Sequence, residues 1–152
     1  MTLARDHVVA EIGNEPPKIG EKFSPQSFGP CDLDDLRGYA AASGDDNPIH
    51  LDPSLAQRAG LKAPPVHGML LMSQFESALE IWRPDLTLIR LASKFLRPIF
   101  LGETVEISGR VAQITPGTGD EKTKFLLRLM MYNERREIAL LAEATTIRKT
   151  VG

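Results

Sequence analysis

The chain predicts an α+β fold: a mostly antiparallel sheet wrapped around one long, apolar helix. Three observations carry this. Apolar residues recur at helical spacing through the first half, then alternate with a period of two beyond residue 88. Residues 67–82 are apolar around most of a helical circumference, and a helix of that kind is expected to be deeply buried. Four alternating runs follow it, enough strand to cover it.

At 152 residues the chain is read as one domain, 1–152, opening with a loose arm over residues 1–15. Residues 19–28 read as an extended segment interrupted by Pro25. A first helix begins after Asp32, a good N-cap, with Asp35 three residues on at the positive end of the helix. Leu33, Leu36, Tyr39 and Ala40 form its apolar stripe, and Gly44 stands where a C-terminal glycine stop belongs. Asn47, ahead of Pro48, is pushed toward an extended conformation. A short second helix has Asp52 as N-cap, Pro53 at its first position and Gly60 as its stop. After the rigid connector Ala63-Pro64-Pro65 comes the central helix, with Leu71, Phe75, Ala78 and Trp82 on one face. The strands then place Ile89, Leu91 and Phe95, Val105 and Ile107, and Phe125, Leu127, Leu129 and Met131 on single faces, and residues 138–147 form a further run.

Composition excludes several function classes. A net charge of −2 lacks the basic surplus of nucleic-acid binders, and no apolar run reaches the ~18 residues of a membrane span. The opening Met1-Thr2-Leu3-Ala4-Arg5-Asp6-His7-Val8 has no apolar core of a secretory signal. One cysteine, Cys31, allows no internal disulfide, which fits a cytoplasmic setting.

The chemistry concentrates in Gly44-Asp45-Asp46-Asn47-Pro48-Ile49-His50, where a carboxylate and an imidazole stand five positions apart. Sixteen residues after His50 comes Val66-His67-Gly68-Met69-Leu70, which opens the central helix. An acid, a base and a glycine-headed helix N-terminus suit the addition or removal of water beside a carbonyl. Taken alone, Asp-Asp-Asn is more often a polar turn, and a lone histidine more often a structural hydrogen-bonder. The added Pro48, His50 and His67-Gly68 tip the balance to function. Calcium is disfavoured because the acidic run lacks the EF-hand glycine and has Ile49 at a ligand position. Three scattered histidines and one cysteine make no zinc site.

These motifs resemble the MaoC-like, (R)-specific enoyl-thioester hydratases. Tyr39, then Gly44-Asp45-Asp46-Asn47-Pro48-Ile49-His50 and Ala56, follow the family signature. Val66-His67-Gly68-Met69-Leu70 follows its second motif, and residues 97–105 look like its strand-turn-strand. The resemblance covers about residues 23–148 and implies the hot-dog fold. It implies Asp45 and His50 as the catalytic pair, Asn47 as the motif asparagine, and the Gly68 N–H facing the thioester carbonyl. His67, Met69 and Leu70 are further substrate-binding candidates, with Met72 and Phe75 beside them, and Lys94 and Arg97 are candidates for carrier phosphates. Glu76 stands where some relatives have a small polar residue, which bears on pocket shape. The resemblance further implies an acyl thioester as partner, at least a homodimer, and no metal or organic cofactor. An acyl-thioester hydrolase and a non-catalytic thioester-binding subunit are the competing readings.

Overall fold

The structure is a computed structural model that describes residues 15–150. The arm expected over residues 1–15 lies outside the described residues except for Glu15.

The N-terminal strand β1 is Lys22–Phe28, shorter than the extended segment read from the sequence. Its pairing slips between Phe23 and Gln26, around Pro25, which has no N–H to give to a ladder. Helix α1, Leu33–Ser43, is held at its start by a reciprocal capping box between Asp32 and Asp35. It ends on Gly44 in the left-handed conformation, φ 79°. A 3-10 turn, Pro48–His50, follows, and then α2, Pro53–Arg58, capped by Asp52. Helix α3 is Gly68–Trp82, and β2 (Leu86–Phe95), β3 (Val105–Thr115), β4 (Lys124–Tyr132) and β5 (Ile138–Arg148) complete the fold.

The strands form one antiparallel sheet in the order β1-β3-β4-β5-β2. It curls so that both edge strands, β1 and β2, touch α3. One row of the inner face runs Phe23, Gly109, Leu129, Ala142, Ser93 across all five strands. Gly109 is required there by space: a Cβ would collide with the Arg128 backbone carbonyl oxygen and lie 2.7 Å from Leu129 Cδ2. The strictly alternating β4 buries Phe125, Leu127, Leu129 and Met131 in the core that also holds Leu71, Phe75 and Ala78 of α3, as its period of two demands.

Helix α3 departs from the expectation of burial all round. Leu70, Leu71, Gln74, Phe75, Ala78 and Leu79 are buried, whereas Met69, Ser73, Glu76, Glu80 and Ile81 face outward. A five-stranded sheet covers one side of a helix, and the polar residues at 73, 76 and 80 mark the side left open. At the far end, the Trp82 ring packs against Phe23 with centroids 5.2 Å apart.

Candidate active site

The end of α1 delivers the first catalytic candidate. Gly44 turns the chain out of the helix, and the Asp45 N–H donates to Ser43 Oγ at 3.1 Å. The Asp45 side chain is exposed. Asn47 caps the following turn, its Oδ1 accepting the Ile49 N–H at 3.1 Å, so its carbonyl serves the loop. That turn brings back His50, whose Nδ1–H donates to the Pro65 carbonyl at 2.7 Å. A carbonyl cannot donate, so Nδ1 carries the proton in neutral His50 and Nε2 keeps its lone pair.

His67 precedes α3 and is fully buried. Its Nε2–H donates to the Asp45 carbonyl at 3.0 Å. Its ring stacks on that of His50 at 4.0 Å and 25°, and the Tyr39 ring tilts against it at 4.7 Å. Burial is the main cause holding the His67 pKa below its ordinary value, aided by the neighbouring His50; the bond to Asp45 and its negative charge act the other way.

Among the described residues, a carboxylate oxygen of Asp45 and a ring nitrogen of each of His50 and His67 lie within 4.8 Å of one another. That spacing admits one water, since two hydrogen bonds of ~2.8 Å meeting at an oxygen span up to about 5 Å. It fits a metal poorly. His50 Nδ1 and His67 Nε2 are committed to backbone carbonyls, which leaves one nitrogen on each ring, and that of His67 is buried.

Gly68 is the first residue of α3, and His67, its N-cap, offers the helix no side-chain cap. The first N–H groups therefore remain available at the positive end of the helix dipole. A Cβ on Gly68 would stand 3.0 Å from Phe95 Cε1, so the glycine lets the β2 ring close over this helix start.

The structure thus brings Asp45, His50, His67 and Gly68 together. Met69, on the next position, is 60% exposed, while Leu70 is buried in the core. Met72 is half-buried and Phe75 buried. Lys94 lines a groove of about 1010 Å³ on the sheet together with Arg128 and Glu143, and neither Asp45, His50 nor Gly68 lines it. Arg97 donates to the Ile138 carbonyl at 2.7 Å and faces Glu137 at 3.4 Å. Pro65, through its carbonyl, and Phe95, through its ring, belong to the site without having been singled out for it. Phe95 could be read only as an inward strand position, and a backbone carbonyl leaves no mark in a sequence. Cys31 is buried, its thiol pushed up to about 11 by burial and then by Asp35, so it is no nucleophile at neutral pH.

Comparison with known proteins shows the family and the fold. The chain belongs to the MaoC like domain family, which matches residues 14–126, and has its hot-dog fold. The (R)-specific enoyl-CoA hydratase of Aeromonas caviae is 31% identical over 130 residues, covering 84% of this chain and 92% of that protein. The mitochondrial 3-hydroxyacyl-(acyl-carrier-protein) dehydratase of Arabidopsis thaliana is 31% identical over 117 residues, covering 75% of this chain and 68% of that protein. A solved (R)-hydratase structure from A. caviae, described as involved in PHA biosynthesis, superposes with a TM-score of 0.76. Its identity is 26%, and the match covers 87% of this chain and 97% of that one. The enzymes named here are hydro-lyases, adding or removing water. Among the described residues no helix is long and apolar enough to cross a membrane.

Proposed function

We propose that the chain catalyses reversible hydration of trans-2-enoyl thioesters to (R)-3-hydroxyacyl thioesters. The observation that carries this is the pairing of Asp45 with His50, its Nδ1–H tied to Pro65, beside the uncapped start of α3 at Gly68. Hydration needs three things: a proton removed from water, a proton delivered to the α-carbon, and charge held on the thioester oxygen. Asp45 and the His50 Nε2 lone pair hold and activate one water, whose oxygen attacks the β-carbon. The π electrons shift toward the thioester, and the developing oxyanion meets the Gly68 N–H at the helix N-terminus. A proton from the same pair then reaches the α-carbon, and the sum is one water added. Reversal of each step dehydrates the 3-hydroxyacyl thioester.

The reading requires no metal or organic cofactor, since water, proton and oxyanion are each served by protein groups. Met69 and Leu70 adjoin Gly68 and are the proposed start of the acyl slot. A role for Lys94 and Arg97 in holding carrier phosphates has weaker support, because Lys94 lines the separate sheet groove and Arg97 is already engaged. A homodimer is part of the proposal, and its support is the apolar edge at β2. A cytoplasmic setting is the last part, supported by the single buried cysteine.

The test mixes the protein with crotonyl-CoA and follows enoyl-thioester absorbance and thiol release in parallel. Absorbance loss without thiol release is expected. Thiol release would establish the hydrolase reading, and binding without turnover the non-catalytic one. Asp45→Asn and His50→Ala are each expected to lower turnover by roughly 10²–10⁴-fold with an unchanged melt, and near-normal turnover in either would sink the mechanism.

A further inference from the structure

His67 is a polar ring in a place that asks for an apolar one. It is fully buried between His50 and Tyr39, and its Nδ1 has no hydrogen-bond partner. A buried, unsatisfied nitrogen is destabilising, so the ring's other nitrogen must supply something the fold or the site needs. That nitrogen, Nε2, reaches the Asp45 carbonyl across twenty-two positions of sequence.

Asp45 needs such a tie. Its local contacts are the short bond from its N–H to Ser43 Oγ and a long one, 3.5 Å, from the Asn47 N–H to its Oδ1. The first reaches only the exposed last residue of α1 and the second stays within the loop, so neither ties Asp45 to any element beyond α1. The other end of the tie is anchored: Val66, just before His67, gives its N–H to the Ile99 carbonyl at 2.7 Å, and Gly68, just after, starts α3.

We infer that His67 is a positioning residue, a neutral Nε2–H imidazole that locks the Asp45 backbone and the His50 ring in register with the Gly68 N–H. Its side chain reaches the acid and supports the base from behind, and its own peptide carries the oxyanion donor. Water-activating pair and carbonyl-holding N–H are thereby parts of one rigid unit. His67 itself, having no exposed surface, does not touch the substrate. The catalytic consequence rests on the hydration reading above; the tie does not.

The test compares His67→Phe, which keeps a stacking ring and removes the donor, with His67→Gln, which returns a donor amide. Steady-state hydration of crotonyl-CoA, thermal melts and amide hydrogen exchange over residues 44–50 are measured on each. In His67→Phe, kcat is expected to fall by roughly 10²-fold while KM changes by less than about threefold, the pattern of misplaced groups. Exchange over residues 44–50 is expected to rise by about tenfold or more, as local opening becomes easier. His67→Gln should recover about tenfold of the kcat loss and slow the exchange again. His67→Phe with wild-type kcat and wild-type exchange overturns the inference, and so does a Gln variant no better than Phe.

A further check needs no variant and covers the case in which His67→Phe fails to fold. Imidazole ¹⁵N shifts of the wild-type protein at neutral pH should report His67 as the neutral Nε2–H tautomer, and an Nδ1–H or charged His67 overturns the tie. Exchange and tautomer are read without turnover. A wild-type chain inert toward crotonyl-CoA but with the expected tautomer and exchange refutes the hydration reading alone. An active wild type with unaltered exchange in His67→Phe refutes the tie alone.

Discussion

At the scale of single residues, Asp45 and His50 were legible because they are neighbours in the chain: five positions with a proline between them keep them close, although Pro65 and His67 hold them in place. His67 was visible as a motif residue, but its burial was not. Its partner lies twenty-two positions away, and only the packing of α3 against the α1 loop turns its ring inward. Gly68 was read as an oxyanion donor, and the structure adds a spatial reason for glycine there. Its backbone is helical, so no conformational need excludes a side chain, but a Cβ would meet Phe95 Cε1 at 3.0 Å. Phe95 is half-exposed and its ring can swing aside, so Gly68→Ala should fold with a stability change within about 1 kcal/mol. The new methyl and the displaced ring crowd the N–H proposed to hold the carbonyl, and loss of one such donor costs roughly 10²–10³-fold in rate. The expected result is a normal melt with kcat for crotonyl-CoA hydration lowered within or somewhat short of that range. Unchanged kinetics would remove Gly68 from the site.

At the scale of elements, the caps were readable and the edges were not. Asp32, Gly44, Asp52 and Pro53 fall where the sequence places them, because capping depends on a few adjacent residues. Strand β1 begins three residues later than expected, since a strand starts where a neighbour offers a ladder and not where a pattern begins. The cap that matters most is Gly44. Nothing lies within 4 Å of a Cβ there, so Gly44→Ala meets no clash, only the left-handed backbone at φ 79°. That costs about 1–2 kcal/mol, measurable by urea denaturation. Relief of the strain would shift Asp45, so turnover should fall as well; Asp32→Ala, at the far end of α1, should cost about 1 kcal/mol and leave turnover alone. A second element-scale device lies where α3 ends. Arg83 pairs with Asp85 at 2.7 Å, Asp85 with Arg148 at 3.3 Å, and Arg83 with Glu21 at 3.5 Å, which joins the end of α3 to β2, β5 and the approach to β1. The Arg83 hydrogen bond, against the cost of burial, holds the Asp85 carboxyl below its ordinary value of 3.8. A depressed acid binds fewer protons folded than unfolded. Its stabilisation is therefore complete above pH 3.8 and is lost as pH falls through that value toward the folded pKa. Melting temperature should drop over this window in the wild type, and the drop should be smaller in Asp85→Asn, which starts lower at neutral pH.

At the scale of the whole molecule, the sequence conveyed the order of strand, helices and four strands, and with it an α+β sheet around α3. It overstated how completely the sheet encloses the helix. Apolar content counts side chains without showing that Met69 falls on the face that also carries Ser73, Glu76 and Glu80, or that Ile81 is left exposed beside it. The shortfall is concentrated beside the edge strand β2. Ile89 is 48%, Phe95 49% and Leu96 41% exposed, and β2 has a ladder partner, β5, on one side only. A ten-residue edge flanked by apolar side chains invites pairing with another strand, and a second copy of β2 is self-complementary in the way a two-fold interface requires. Phe95 makes this a matter of function, because the strand that offers the edge also lays its ring against Gly68. Sedimentation should therefore give a mass near twice 16.7 kDa at micromolar concentration. Ile89→Lys, which places a charge on that edge away from Gly68, should shift the protein toward a single chain. If the pairing also steadies Phe95, specific activity should fall in parallel with dissociation, both for this variant and for wild type on dilution. A wild type that sediments as one chain with full activity would show that β2 closes the site unaided.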